Sequence, residues 1–267
     1  MTEKPINGKA IYTPKGAAYE YGHIGCNFYT GCPHECEYCY LKRGAPSKQL
    51  GGTEVRLKKC FKNEDDALRI FENEVKQNLE RCQRDGIFFS FTTDPLIEET
   101  RWLTINAIFF CARNDVPVWV LTKDATFCGD FQFTMMLRTL PMWQRRHIHF
   151  GFTLTGRNDM EPKASSNNDR IVAMRGLKGW EFATFASIEP VIDWDSAYGV
   201  ILDSYDCCDH YKIGLRSGVK KDYYNLATIA DDVKRLTDFI TDKGKTYYLK
   251  ESVRKAMKNT PTPLLPK

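Results

Sequence analysis

Three cysteines fall within eight residues in the run GCPHECEYCY, where Cys32, Cys36 and Cys39 have the spacing C-x3-C-x2-C. Thiolates are soft ligands, and one short loop with this spacing can wrap three corners of an iron–sulfur cubane. A cluster with only three protein ligands keeps one iron open to an outside molecule, so such a site would be reactive. A structural zinc site competes for the same residues, but it usually pairs two short Cys/His hooks across a longer insert. The second hook is absent here, although His34 within the loop or Cys26 upstream could supply a fourth ligand. A four-cysteine electron-transfer cluster would call on Cys26 or on the adjacent pair Cys207 and Cys208. The open iron–sulfur reading fits the spacing best.

The rest of the chain bounds that chemistry. It has 267 residues, 42% hydrophobic and 27% charged, which is ordinary globular usage and excludes a disordered or fibrous chain. No apolar run approaches the length of a membrane span, and Lys4, Pro5, Asn7, Gly8 and Lys9 interrupt the start where a signal peptide would be apolar. We therefore read the protein as cytoplasmic. Thiols stay reduced there, so clustered cysteines point to metal or redox chemistry rather than disulfides. Cys26, Cys60, Cys82, Cys111 and Cys128 are scattered over expected strands and helices and read as core. A net charge of +4 is too mild to diagnose a nucleic-acid partner.

The elements that must position the cysteine loop follow from periodicity. Leu68, Phe71, Val75 and Leu79 recur at helical spacing, and the β-rich run IFFSFT over 87–92 follows. Helices over 98–113, 130–139, 168–177, 195–202 and 226–243 then alternate with strands over 118–122, 148–155, 182–188, 211–215 and 246–249. Strands separated by helices need crossover connections, so the sheet should be mainly parallel. With an N-terminal strand over 19–24, five or six such units suit a partial (β/α)6 barrel. We expect one domain over 1–267: a leading segment 1–18, the barrel over 19–250, and a short helix and tail over 251–267. Active sites of parallel α/β folds lie at the carboxyl ends of the strands. Those ends carry Thr93 and Asp94, Lys123, Thr153, Ser187 and Glu189, and Arg216.

The cysteine loop resembles that of the radical S-adenosylmethionine enzymes, and the wider run NFYTGCPHECEYCY resembles the opening motif of the spore photoproduct lyase branch. FTTDP over 91–95, VLTK over 120–123 and SIEP over 187–190 are similar to that branch's later strand motifs and occur in the same order. The resemblance implies a 4Fe-4S cluster on Cys32, Cys36 and Cys39, with S-adenosylmethionine as the second cofactor. It implies reductive cleavage to a 5'-deoxyadenosyl radical and removal of a substrate hydrogen, with nucleic acid or peptide as candidate substrates. Lys123 and Thr93 would stand near the cofactor carboxylate, Thr153 near its ribose or methionyl group, Asp94 near its amine, and Tyr38 beside the adenine. Tyr40 would be catalytic, matching a tyrosine of the lyase's radical relay. An external one-electron reductant of the flavodoxin or ferredoxin type, a monomer and no membrane partner complete the implied picture. Two departures stand out: Phe91 occupies the position of the lyase's hydrogen-donating cysteine, and no long DNA-gripping C-terminal part is evident. The alternative from a different class is a non-enzymatic zinc or iron–sulfur module that binds nucleic acid through Lys, Arg and aromatic stacking.

Overall fold

The computed structural model describes residues 3–43, 47–220 and 222–258. The first part of the chain holds β1 (Ile11–Tyr12), β2 (Gly25–Cys26), β3 (Tyr29–Thr30), α1 (Ser47–Leu50) and β4 (Arg56–Leu57). Next come α2 (Glu64–Gln77), α3 (Leu79–Asp85), β5 (Ile87–Phe89), α4 (Glu98–Arg113), β6 (Val118–Thr122), α5 (Phe131–Thr139), α6 (Met142–Arg145) and β7 (Ile148–Thr153). The last part alternates α7 (Asn167–Gly179), β8 (Ala183–Val191), α8 (Trp194–Ser204), β9 (His210–Leu215), α9 (Ile229–Asp242), β10 (Thr246–Leu249) and α10 (Glu251–Lys258).

Eight strands form one sheet in the order β1-β2-β5-β6-β7-β8-β9-β10, and only the β1–β2 pair is antiparallel. This is the mainly parallel α/β sheet that the alternating pattern implies. The helices start where local chemistry satisfies their first amides. Asn63 accepts from the Asp66 amide at 2.9 Å ahead of an acidic first turn, Ser166 and Asp169 form a capping box, and Asp193 accepts from the Ser196 amide at 2.7 Å. Helix α2 turns Ala67, Phe71 and Val75 inward, as their spacing requires. Central strands buried on both faces read as near-continuous apolar runs, and rings of Phe127, Phe133, Phe150, Phe152 and Phe182 pack edge-on or stacked between β7 and its helices.

Four expectations need correction. Residues 19–24 do not form a strand: Gly16–Glu20 is a short 3-10 turn, and the strand begins at Gly25. The physical reason is that Lys212 Nζ takes the Glu20 and Tyr21 carbonyls, at 3.1 and 3.0 Å, which a strand would need for its ladder. The strand expected over 87–92 stops at Phe89 because Ser90 folds back to donate to the Thr93 carbonyl at 2.5 Å. The helix expected through Leu79 breaks at Asn78, whose amide side chain bonds the Glu74 carbonyl at 2.8 Å. Cys60 is exposed rather than core, whereas Cys26, Cys82 and Cys111 are buried. The tail beyond Lys258 lies outside the described residues, and no described helix is long and apolar enough to cross a membrane.

At the opposite, amino-terminal end of the sheet, His149 in β7 stacks on Trp119 of β6, with ring centroids 4.6 Å apart. Burial, reinforced by nearby His147, lowers its pKa from 6.5 to about 4. The unfolded chain therefore binds a proton that the folded chain refuses between those values, and stability falls as the pH drops through that window. The expected loss is on the order of 1–3 kcal/mol by pH 4. His149→Phe keeps the ring contact and removes the titration, so its melting temperature should decline less than wild type's between pH 7 and pH 4; equal declines would refute the assignment.

Candidate functional site

One cavity of about 500 Å³ opens at the carboxyl ends of the parallel strands. Each strand delivers part of its wall: the cysteine loop after β2, Ser90, Phe91, Thr93 and Asp94 after β5, Lys123 after β6, and Thr153 at the end of β7. Ser187 and Glu189 come from β8, Arg216 and Ser217 follow β9, and Lys250 follows β10. All nine residues singled out in the sequence for catalysis, cofactor or metal line it together: Cys32, Cys36, Tyr38, Cys39, Tyr40, Thr93, Asp94, Lys123 and Thr153. Cys207 and Cys208 do not; they are buried at the amino end of β9.

The cysteine loop is shaped by its backbone. Gly31 has a φ of +83°, and a Cβ there would collide with the Glu54 carbonyl, so a glycine is required just before Cys32. The Cys32 amide donates to the Gly52 carbonyl at 2.9 Å, the Glu37 amide to Met160 at 3.0 Å, and the Cys39 amide to Cys36 at 3.3 Å. Glu35, inside the first three-residue gap, takes a left-handed φ of 53°, a conformation that costs a non-glycine residue on the order of 1 kcal/mol. Burial raises the Cys32 thiol to about 12 and raises Cys36 as well, the latter partly offset by Lys123. Burial thus favours the neutral thiol at both positions. Among the described residues, no group of three or more His, Cys, Asp or Glu side chains is gathered to hold a metal ion.

His34 and Asp94 organise the wall beside the loop. His34 Nε2 lies 2.8 Å from Asp94 and Nδ1 lies 3.2 Å from the Lys163 carbonyl. Both partners only accept, so both ring nitrogens donate and the ring is an imidazolium. Burial opposes that charge, but the bond and attraction to Asp94 outweigh it and raise the His34 pKa. Burial likewise opposes the Asp94 charge, yet His34, the Lys123 amide and Thr122 bring its pKa down to about 2. Asp94 accepts from Thr122 Oγ1 and the Lys123 amide at 2.7 Å each and from the Leu96 amide at 3.0 Å. Its carboxylate therefore ties the β5, β6 and cysteine-loop backbones together, and it is not the cap of α4, whose N-cap is Ile97. With both nitrogens occupied, His34 has none left for a metal, and Cys26 sits in β2 outside the cavity.

Behind Tyr38 lies a feature that the sequence did not disclose. Tyr38 donates to Glu161, whose carboxylate stands 2.8 Å from Arg170, and Arg170 Nη1 donates to the Thr153 carbonyl at 2.7 Å. Both charged side chains have zero solvent exposure. The ion pair is close but poorly aligned, since Arg170 Nη2 and Glu161 Oε2 meet no hydrogen-bond criterion. The far wall was also missed: Tyr21 bonds Ser187 at 2.6 Å and Glu189 at 2.5 Å, and Lys250 donates to both Glu189 oxygens at 2.7 and 3.0 Å. Glu189 is therefore the partner of Lys250, and among the described residues it makes no ion pair with Arg216. Tyr40, 56% exposed, directs its hydroxyl to the Phe91 carbonyl, while the Phe91 ring stacks on Phe88 at 4.6 Å.

A mainly parallel α/β sheet whose strand ends and a three-cysteine loop enclose one cavity defines a partial-barrel architecture. Comparison with solved structures finds the same fold in spore photoproduct lyase. A cysteine-to-serine variant of that enzyme matches with a TM-score of 0.65 at 14% identity, over 88% of this chain and 78% of that one. A tyrosine-to-phenylalanine variant matches with the same score and identity over 89% and 79%. A doubly substituted variant with bound AdoMet and dinucleoside spore photoproduct matches at 0.58 and 15%, over 91% and 63%. No protein-family model and no curated protein matches the chain.

Proposed function

We propose that this protein is a radical S-adenosylmethionine enzyme, with a 4Fe-4S cluster on Cys32, Cys36 and Cys39. The observation that supports the reading is the convergence on one cavity of residues spread from position 32 to position 153, which the cysteine spacing and the family resemblance single out in the sequence. The residues present suit the two cofactors. Three cysteines line the cavity, the number that a cubane with one open iron calls for. Among the described residues Thr93 Oγ1 is buried with no hydrogen-bond partner, and the Lys123 ammonium has no hydrogen-bond acceptor, lying 5.6 Å from the Tyr38 ring. A hydroxyl and a cation left unmatched in a closed wall call for an outside polar group, and an amino-acid carboxylate supplies one.

When bound, these cofactors supply the electron and the 5'-deoxyadenosyl radical that removes a substrate hydrogen. The chain does the rest. Asp94 and His34 hold the Lys123 backbone so that its side chain enters the cavity beside Cys36, and the Glu161–Arg170 pair fixes Tyr38 and the Thr153 carbonyl. Phe88, Phe91 and Tyr21 line the remaining space with rings that exclude water. Tyr40 stands between the loop and Phe91 and is the candidate for hydrogen return; without such a donor the cofactor would be consumed once per turnover. Nucleic acid or peptide substrates and a flavodoxin- or ferredoxin-type reductant complete the proposal.

The test is cofactor affinity. Lys123→Ala should weaken S-adenosylmethionine binding by about tenfold or more, the scale of a charge-assisted hydrogen bond, and Lys123→Arg by less because a cation remains. Calorimetry showing equal affinity for wild type and both variants would remove Lys123 from the site.

A further inference from the structure

The charges that line the cavity do not balance within the protein. Its three carboxylates are all matched: Glu35 by Lys163 at 2.5 Å, Asp94 by His34 at 2.8 Å, and Glu189 by Lys250 at 2.7 Å. Lys15 and Lys42 stand exposed in solvent at its mouth. Lys123 and Arg216 are different, because each is at least partly enclosed and neither side chain has a hydrogen-bond acceptor among the described residues. Among the described residues Arg216 makes no side-chain hydrogen bond or ion pair, and its Nε is buried with no partner. The guanidinium can only donate and stays charged at any ordinary pH, so burying an unmatched N–H of it is costly unless something outside the chain accepts.

The chain holds this arginine in place from behind. Its guanidinium lies 5.8 Å from the Tyr223 ring, and its backbone amide donates to the Tyr224 hydroxyl at 2.7 Å. Tyr224 donates in turn to the Val191 carbonyl at 2.5 Å and Tyr223 to the Ile192 carbonyl at 3.1 Å, which anchors both rings to the end of β8. Arg43 donates to the Ser217 carbonyl at 2.5 Å and pins the next residue. With its backbone tied at two neighbouring points, a ring beside its guanidinium and no acceptor among the described residues, Arg216 has the build of a receptor for a planar or tetrahedral oxyanion.

We infer that Arg216 binds an oxyanion of the substrate, a carboxylate or a phosphate, where the chain after β9 lines the cavity. Lys123 follows β6 and Arg216 follows β9, with β7 and β8 between those strands in the sheet, so the two cations enter the cavity from different strand ends. Two separated, unmatched cations in one cavity ask for two anions, and the cofactor carboxylate accounts for the first. That the second belongs to a substrate rests on the function proposed above; the anion site itself does not.

The experiment is a titration of the ¹⁵N-labelled full chain with sodium phosphate and, separately, sodium acetate, at ionic strength held constant with chloride. The Arg216 Nε–H signal is identified by its absence from Arg216→Lys. It should move saturably, and the anion with the lower half-saturation names the chemical class of the substrate group. Arg216→Gln should raise the half-saturation for that anion at least tenfold, as read from phosphate or acetate line broadening, while Lys123→Ala leaves the Arg216 shift in place. A non-saturating drift with both anions, or loss of the shift in Lys123→Ala, overturns the inference. No step requires turnover, so failure of the radical chemistry would leave an anion site at Arg216 standing, and failure at Arg216 would leave the reading of the cysteine loop standing.

Discussion

Replacement of Cys32, Cys36 or Cys39 by alanine is expected to take the iron content of anaerobically reconstituted protein from about four per chain to below about one. The fold should survive, because the large core cluster of buried residues does not include these cysteines; Cys36 belongs to a small separate cluster with Tyr38, Met160 and Ile192, against which Cys39 packs. Far-ultraviolet circular dichroism unchanged beside lost iron is therefore the expected pair of observations. Full native iron in all three variants, or zinc in the wild-type protein, would contradict it. Removing one thiolate matters this much because the two replacement ligands the sequence offers are not at hand: His34 is committed at both nitrogens and Cys26 lies in the sheet.

Arg170→Met and Glu161→Gln should each lower stability by about 3–5 kcal/mol, because each leaves one charge or polar group buried without its partner. For a chain of this size that is a fall of roughly 10 °C in melting temperature. The double variant should lose less than the sum of the two, since it leaves no uncompensated charge. The pair also fixes Tyr38 and the Thr153 carbonyl, so Arg170→Met should weaken S-adenosylmethionine binding without touching a thiol. Thermal melts at matched cluster loading measure the first effect. Single variants within about 1 kcal/mol of wild type would show that the pair is not a structural support.

The strand-end residues could be read in the sequence because a parallel α/β fold fixes which end of each strand carries chemistry, and the polar residue after each apolar run marks that end. Thr93, Lys123 and Thr153 were found in this way. The cysteine loop was legible from spacing alone. What could not be read was partnership between distant segments. Tyr21 meets Glu189 across 168 positions, His34 meets Asp94 across 60, and Lys250 rather than Arg216 takes Glu189. Such pairs depend on the register in which β8, β9 and β10 lie side by side, and periodicity within one element carries no information on that. Residues 19–24 failed for a related reason: their apolar spacing suits a strand, but Lys212 from β9 takes their carbonyls. Glu161 and Arg170 each resemble an ordinary surface charge, and only the packing of α7 against β7 seals them from water.

The most direct measurement is 5'-deoxyadenosine itself. Protein reconstituted anaerobically with iron and sulfide is reduced with dithionite and supplied with S-adenosylmethionine, and the products are separated by chromatography with mass detection. The expected result is 5'-deoxyadenosine together with methionine from wild type, and neither from Cys36→Ala handled identically. Wild-type protein that carries a full, reducible cluster yet yields no 5'-deoxyadenosine would contradict the proposed function at its centre.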